Sequence, residues 1–263
     1  MNGLVTGLIS QTPDTTMKKF NADMVDWFIL SFIVIFLFLA TYQRNFLWRS
    51  EVDLWRDCVG KSPKKERTHH NLGFAYHELG RWDDARGEYD EALRLNPYYS
   101  LSMYNLGLVY YEKGLMDEAI RHYKKAIELD SNFPDSFYNL GMAYYQKNLY
   151  RDAIEAYNEC LEVKPGYENA NLNLGLAYKG LGQRAKAIQC FKEELKTRPD
   201  NVYAYVELGL AYKEWGDDPK ALLYLKKALT YPKLPDAGRF RKIIASIEAV
   251  QKQKGDKRID GEN

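Results

Sequence analysis

Cysteine is scarce in this chain. Its three copies in 263 residues, Cys58, Cys160 and Cys190, are far apart and form no C-x-x-C pair. That excludes a disulfide framework and a cysteine-built zinc site. Neither charge sign is in excess, with 37 Lys+Arg against 36 Asp+Glu. The one-sided basic surface that a nucleic-acid partner requires is therefore missing. A hydrophobic share of 46% beside a charged share of 28% argues against wholesale disorder. Histidine is limited to His69, His70, His77 and His122. A helical metal pair needs i, i+4 spacing, but His70 and His77 are seven apart, and Phe74 stands four after His70. Both read as groove-facing or solvated imidazoles. The sequence has no Gly-rich phosphate loop, no G-x-S-x-G and no Cys/His arrangement, so neither catalysis nor a cofactor nor a metal is expected. Cys160 and Cys190 read as helix-packing residues.

What is present is a repeat. Asn-Leu-Gly occurs at 71–73, 105–107, 139–141 and 173–175, with Glu207-Leu208-Gly209 as a fifth copy. The glycines are 34 residues apart throughout, without insertion. Three residues after each stands Tyr76, Tyr110, Tyr144, Tyr178 or Tyr212. Later in each unit come Ala85, Ala119, Ala153, Ala187 or Ala221, then Tyr89, Tyr123, Tyr157, Phe191 or Leu225. A small-residue position follows, filled by Ala92, Ala126, Cys160, Glu194 or Ala228. Leu72, Gly73 and Tyr76 share one stripe of a first helix, and Ala85, Tyr89 and Ala92 share one stripe of a second. Gly80, Gly114, Asn148, Gly182 and Gly216 suit the left-handed residue that ends the first helix. Pro97, Pro165 and Pro199 stop the second. One such unit cannot bury both of its faces, so stability must come from stacking.

Residues 66 to about 235 resemble the tetratricopeptide repeat family on these motifs. The resemblance implies an all-α, right-handed superhelical solenoid of helix-turn-helix repeats with a concave groove. The repeat phase divides the chain into an N-terminal tail (1–23), a membrane helix (24–46), a half-repeat capping helix (47–65), repeats at 66–99, 100–133, 134–167, 168–201 and 202–235, a C-terminal capping helix (236–254) and a disordered tail (255–263). Ser50 with Asp53 three later forms a capping arrangement for the half-repeat. Phe240, Ile243, Ile244, Ile247 and Val250 form the apolar face of the last helix.

One long hydrophobic run breaks the pattern. Residues 27–42 read WFILSFIVIFLFLATY, bracketed by Trp27 and Tyr42 as interface aromatics. The run predicts a single membrane-spanning anchor. Lys18 and Lys19 before it are outnumbered by Arg44, Arg49, Arg56 and Lys61 after it, which leans towards cytoplasmic repeats. A second resemblance points the other way. The run followed by Arg44-Asn45, Trp48, Glu51, Leu54-Trp55 and Lys61-Ser62-Pro63 is similar to the C-terminal part of membrane glycosyltransferases carrying tetratricopeptide repeats. This implies repeats on the periplasmic or luminal side, which is the expectation adopted, and an alternative role as the substrate-recruiting arm of a multi-span enzyme. A polytopic membrane protein would then be a partner.

The candidate binding residues follow the repeat. Asn71, Asn105, Asn139 and Asn173 all project the same way, and in the family this position lines the concave surface. An amide donates and accepts, so a row of amides matches an extended peptide backbone. The row resembles the asparagine ladder of O-linked N-acetylglucosamine transferase. Asparagine here also occurs as a bond between neighbouring helices, and both readings stand at this point. His70, Tyr104 and Tyr138 precede the amides by one residue, and His77, Tyr111 and Tyr145 follow by six. In the later repeats the corresponding places hold Leu172 and Val206, then Lys179 and Lys213, so the groove is expected to run from aromatic to basic. A carboxylate clamp is not supported, since His70 and Phe74, then Asp135 and Asn139, occupy positions that would be basic. The expected function is a membrane-anchored scaffold that binds a protein or peptide partner.

Overall fold

The computed structural model describes residues 27–42, 50–232 and 234–260, with side chains as far as 253. The expected tail at 1–23 and the flanks of the expected membrane helix at 24–26 and 43–46 lie outside the described residues. The chain divides into two compact units, Met1–Pro63 and Lys64–Asn263.

In the first unit the apolar run is a helix, α1 (27–42). Its side chains are exposed on every side, from Ile33 at 47% to Phe32 at 72%. A helix apolar all round has no face suited to water. At about 1.5 Å per residue it is roughly 24 Å long. Among the described residues no helix is long and apolar enough to cross a membrane, so the spanning helix expected over 24–46 is not reproduced; the described helix stops at 42. α2 (Glu51–Lys61) begins where Ser50 Oγ accepts the Asp53 N–H at 3.2 Å, and the Ser50 hydroxyl donates to Asp53 Oδ2 at 2.8 Å.

The second unit is helical throughout its described residues, with five helix pairs and a terminal helix. The pairs are α3 (Glu66–Glu78) with α4 (Trp82–Leu95), α5 (Ser100–Glu112) with α6 (Met116–Leu129), and α7 (Pro134–Gln146) with α8 (Tyr150–Val163). Next come α9 (Ala170–Gly180) with α10 (Arg184–Thr197) and α11 (Val202–Glu214) with α12 (Asp218–Ala228), before α13 (Ala237–Asp260). The break inside each pair falls at a residue with positive φ, and at Asn148 (φ 59°) a non-glycine takes that role. Asparagine tolerates the left-handed region better than most side chains do. α13 runs past the expected boundary at 254, so 255–260 are helical rather than disordered. A single glycine, Gly255, costs a helix only about 1 kcal/mol, and the lysines and arginine around it favour helix.

Within a pair, the large residue of the second helix fills the space left by the glycine of the first. A Cβ on Gly141 would stand 2.6 Å from Tyr157 Cε1, and one on Gly175 would stand 2.5 Å from Phe191 Cε1. Tyr89, Tyr123, Tyr157 and Phe191 are accordingly at most 1% exposed. Each second helix then packs against the first helix of the following repeat, which builds a continuous core. Phe240, Ile244 and Ile247 of α13 close that core, packing with Leu208, Leu225 and Ala228. Successive first helices also touch one another, α3 to α5, α5 to α7 and α7 to α9, more than successive second helices do. A stack that packs tighter on one side curves towards it, so the first helices line the inner face.

Candidate functional site

The asparagine row lies on this inner seam. Asn139 Nδ2 donates to Tyr104 Oη at 2.8 Å, and Asn173 Nδ2 donates to Tyr138 Oη at 2.7 Å. In each case the amide reaches back to the tyrosine of the preceding repeat. The bond fixes the amide plane and uses one of its two N–H groups, leaving further donor and acceptor capacity. Asn105 is 7% exposed and faces the Tyr89 hydroxyl instead, because the preceding repeat carries His70 where the next two repeats carry Tyr104 and Tyr138. Asn71, at the first rung, is half-buried.

The aromatics divide into two sets. Tyr104 and Tyr138 are half-buried between helices, 5.9 Å from the rings of Tyr123 and Tyr157 respectively. Burial raises the pKa of both phenols, so they stay neutral and able to donate. Their hydroxyls are committed to the seam, and the rings brace the amides rather than stand free in the groove. His70 is 8% exposed, which corrects the expectation of a solvated imidazole. Its Nδ1 lies 2.9 Å from Ser102 Oγ, and burial lowers its pKa to about 4. His77 sits apart against Trp82, ring centroids 5.0 Å apart, so the two histidines do not converge. Tyr145 stacks edge-on with Tyr150 at 5.5 Å, and Tyr111 is half-buried one repeat earlier.

The basic end is smaller than expected. Lys179 Nζ is 2.8 Å from Glu207 Oε2, and Glu207 occupies the fifth rung of the row. One carboxylate thus offsets the first of the two lysines, while Lys213 remains exposed. Cys160 and Cys190 are buried, and burial pushes their thiols up to about 12 and about 11, far from thiolate chemistry.

One polar cluster was not anticipated. Glu194, 1% exposed, stands where the other repeats place alanine or cysteine. Asn201 Nδ2 donates to Glu194 Oε1 at 2.8 Å and to Asn169 Oδ1 at 3.1 Å. Arg198 Nη1 donates to Asn169 Oδ1 at 2.8 Å, and its Nη2 is 2.9 Å from Glu168 Oε1. A buried carboxylate costs several kcal/mol unless hydrogen-bonded, and these partners hold it at the junction of the fourth and fifth repeats. The signal in the sequence was a charged residue at a small-residue position.

Comparison with known proteins agrees with the geometry. Models described as TPR repeat match residues 73–114 and 110–148, and models described as tetratricopeptide repeat match 134–167 and 172–239. Over 83 residues the chain is 30% identical to Protein O-mannosyl-transferase F38B6.6 of Caenorhabditis elegans, covering 31% of this chain and 12% of that protein. The crystal structure of MamA is similar at 31% identity and TM-score 0.59, over 60% of this chain and 93% of that one. YrrB, titled a TPR protein with an unusual peptide-binding site, is similar in fold at 22% identity and TM-score 0.61, over 72% and 97%. PilF of Pseudomonas aeruginosa is similar in fold at 20% identity and TM-score 0.63, over 79% and 95%.

Proposed function

The chain belongs to the tetratricopeptide repeat family, and from that premise we propose that it is a membrane-anchored scaffold that holds an extended segment of a protein partner along its first-helix seam. The observation that carries this reading is the pair of bonds from Asn139 to Tyr104 and from Asn173 to Tyr138. They orient two amides alike, one repeat apart, before any ligand arrives. A preoriented amide loses less freedom on binding than a mobile one. Asn71, Asn139 and Asn173 grip the backbone of the segment, while Asn105, 7% exposed and turned to Tyr89, is withdrawn from it, which corrects the expectation of four equivalent rungs. His77, Tyr111 and Tyr145 contact its side chains, with Lys179 and Lys213 towards the far end. Tyr104 and Tyr138 support the amides of Asn139 and Asn173 from behind, and His70 is engaged with Ser102 instead. The likeness in fold to YrrB, a TPR protein with an unusual peptide-binding site, favours the same use here.

The anchor is α1, with the repeats on the periplasmic or luminal side. The matched region of the mannosyl-transferase favours a second reading, in which the repeats recruit substrate for a multi-span glycosyltransferase. Protease access in intact and opened cells separates the two sides of the membrane, and co-purification of a polytopic protein identifies the second reading.

The test of groove binding is the double substitution Asn139→Ala plus Asn173→Ala, assayed against peptides selected on the unaltered protein from a random library. Each lost bond costs about 0.5–1.5 kcal/mol, so the pair lowers affinity roughly 5- to 150-fold. Unchanged affinity would place the partner elsewhere.

A further inference from the structure

Apart from the asparagine row, the array carries a second feature. A cleft of about 860 Å³ lies between α10 and the α11–α12 turn, within the size range of ligand sites. Its floor is Tyr212, 5% exposed, and its rim is Trp215, 55% exposed, with the two rings stacked at 6.5 Å. Lys192 and Lys220 stand over the Tyr212 ring, their Nζ atoms 5.8 and 5.1 Å from its centroid. Lys196 completes a set of three lysines against two carboxylates, Glu193 and Asp217. Lys196 reaches Glu193 at 2.7 Å, and Lys220 reaches Asp217 at 2.6 Å. Both pairs have exposed lysines, and such pairs contribute little and re-form readily with a ligand.

The repeat supplies an internal comparison. A cleft of about 530 Å³ occurs two repeats earlier, between α6, α7 and α8. It keeps Lys124 over Tyr144, at 5.7 Å, where the later cleft has Lys192 over Tyr212. Two of the other lysines are inverted: Lys196 corresponds to Glu128 and Lys220 to Asp152. Glu155 and Glu159 add to the acidic lining, giving one lysine against four carboxylates. Charge on the second helices shifts in the same direction along the array. α4 has five carboxylates against two cations, α6 three against three and α8 four against one, whereas α10 has four cations against two carboxylates and α12 three against one. Related clefts of opposite charge on one fold are not required by repeat packing, since Ala119, Gly141, Tyr144 and Ala153 recur unchanged as Ala187, Gly209, Tyr212 and Ala221.

We propose that the cleft at Lys192, Lys196 and Lys220 is a binding site for an acidic peptide segment carrying an aromatic or aliphatic side chain. The lysines take its carboxylates, and the exposed face of Trp215 takes the apolar side chain. The recess favours a peptide over a membrane, because a flat lipid surface does not reach a floor that is 5% exposed. The site is separate from the first-helix seam and does not depend on it.

The test uses the full chain in mild detergent and a fluorescein-labelled short peptide alternating glutamate and phenylalanine, read by anisotropy. Lys196→Glu plus Lys220→Asp, which copies the charge of the earlier cleft, should raise Kd at least about tenfold. Lys226→Glu plus Lys227→Glu makes the same change in net charge on α12 outside the cleft and should leave Kd within about twofold. Trp215→Ala should weaken binding while leaving its salt dependence unchanged. Circular dichroism melts confirm that each variant is folded. Equal loss in the two double variants would reduce the attraction to diffuse charge and overturn the site. Binding of phosphatidylserine vesicles with none of the peptide would overturn it too, in favour of a lipid surface.

Discussion

At the residue scale, the glycine that opens each repeat is a space left for a ring. A Cβ on Gly141 would meet Tyr157 at 2.6, 2.7 and 3.0 Å, and the ring is buried with nowhere to move. Gly141→Leu should therefore cost about 1–3 kcal/mol or more, read as a lower Tm for the array. An unchanged melt would mean that the ring can retreat. Two of the buried histidines, His70 and His122, make a second residue-level expectation. Burial lowers His70 and His122 to about 4, with Arg121 and Lys125 adding to the effect at His122. A histidine whose folded pKa is depressed binds its proton more readily when unfolded. Stability from this source is complete above about pH 6.5 and falls as pH drops towards 4, by up to about 3 kcal/mol for each residue. His70→Gln plus His122→Gln should flatten the dependence of Tm on pH in that window. An unaltered slope would assign the acid lability to carboxylates.

At the element scale, the helices were legible because each is marked twice: by an apolar stripe at helical spacing and by a turn residue at its end. The prediction of a left-handed residue at 148 held although asparagine stands there, since the repeat phase located the turn independently of residue type. The end of α13 was not legible, because polarity at 255–263 looked like a tail and the charges there also suit a helix. The first described helix belongs to this scale too. α1 presents apolar side chains on all sides, which water does not tolerate and lipid does. Full-length protein should stay in the membrane pellet after carbonate wash, and its release into the supernatant would show that α1 does not anchor it.

At the scale of the whole molecule, stability passes between nearest neighbours, and the inner seam is where neighbours also align the candidate ligand groups. The sequence located the asparagines but not their partners. Whether an amide at position 139 turns to Tyr104, 35 residues earlier, depends on the offset between stacked repeats, which spacing along the chain does not encode. The same holds for Lys179, whose charge is offset by Glu207 of the following repeat. The Glu194 cluster was hidden for a related reason: its partners Asn169, Arg198 and Asn201 come together only at the junction of two repeats. The central claim is that the amides serve a ligand as well as the seam, and two single substitutions separate those roles. Tyr104→Phe removes the bond to Asn139 and keeps the amide, whereas Asn139→Ala removes both. The measurement is the affinity of a groove-selected peptide for each variant, beside its melt. The account predicts similar small losses in Tm, with affinity falling about 2- to 13-fold in Asn139→Ala, the equivalent of one hydrogen bond, and by less in Tyr104→Phe, where the amide is kept but no longer held in place. Equal affinities in the two variants would contradict it and leave the asparagine row as a structural staple.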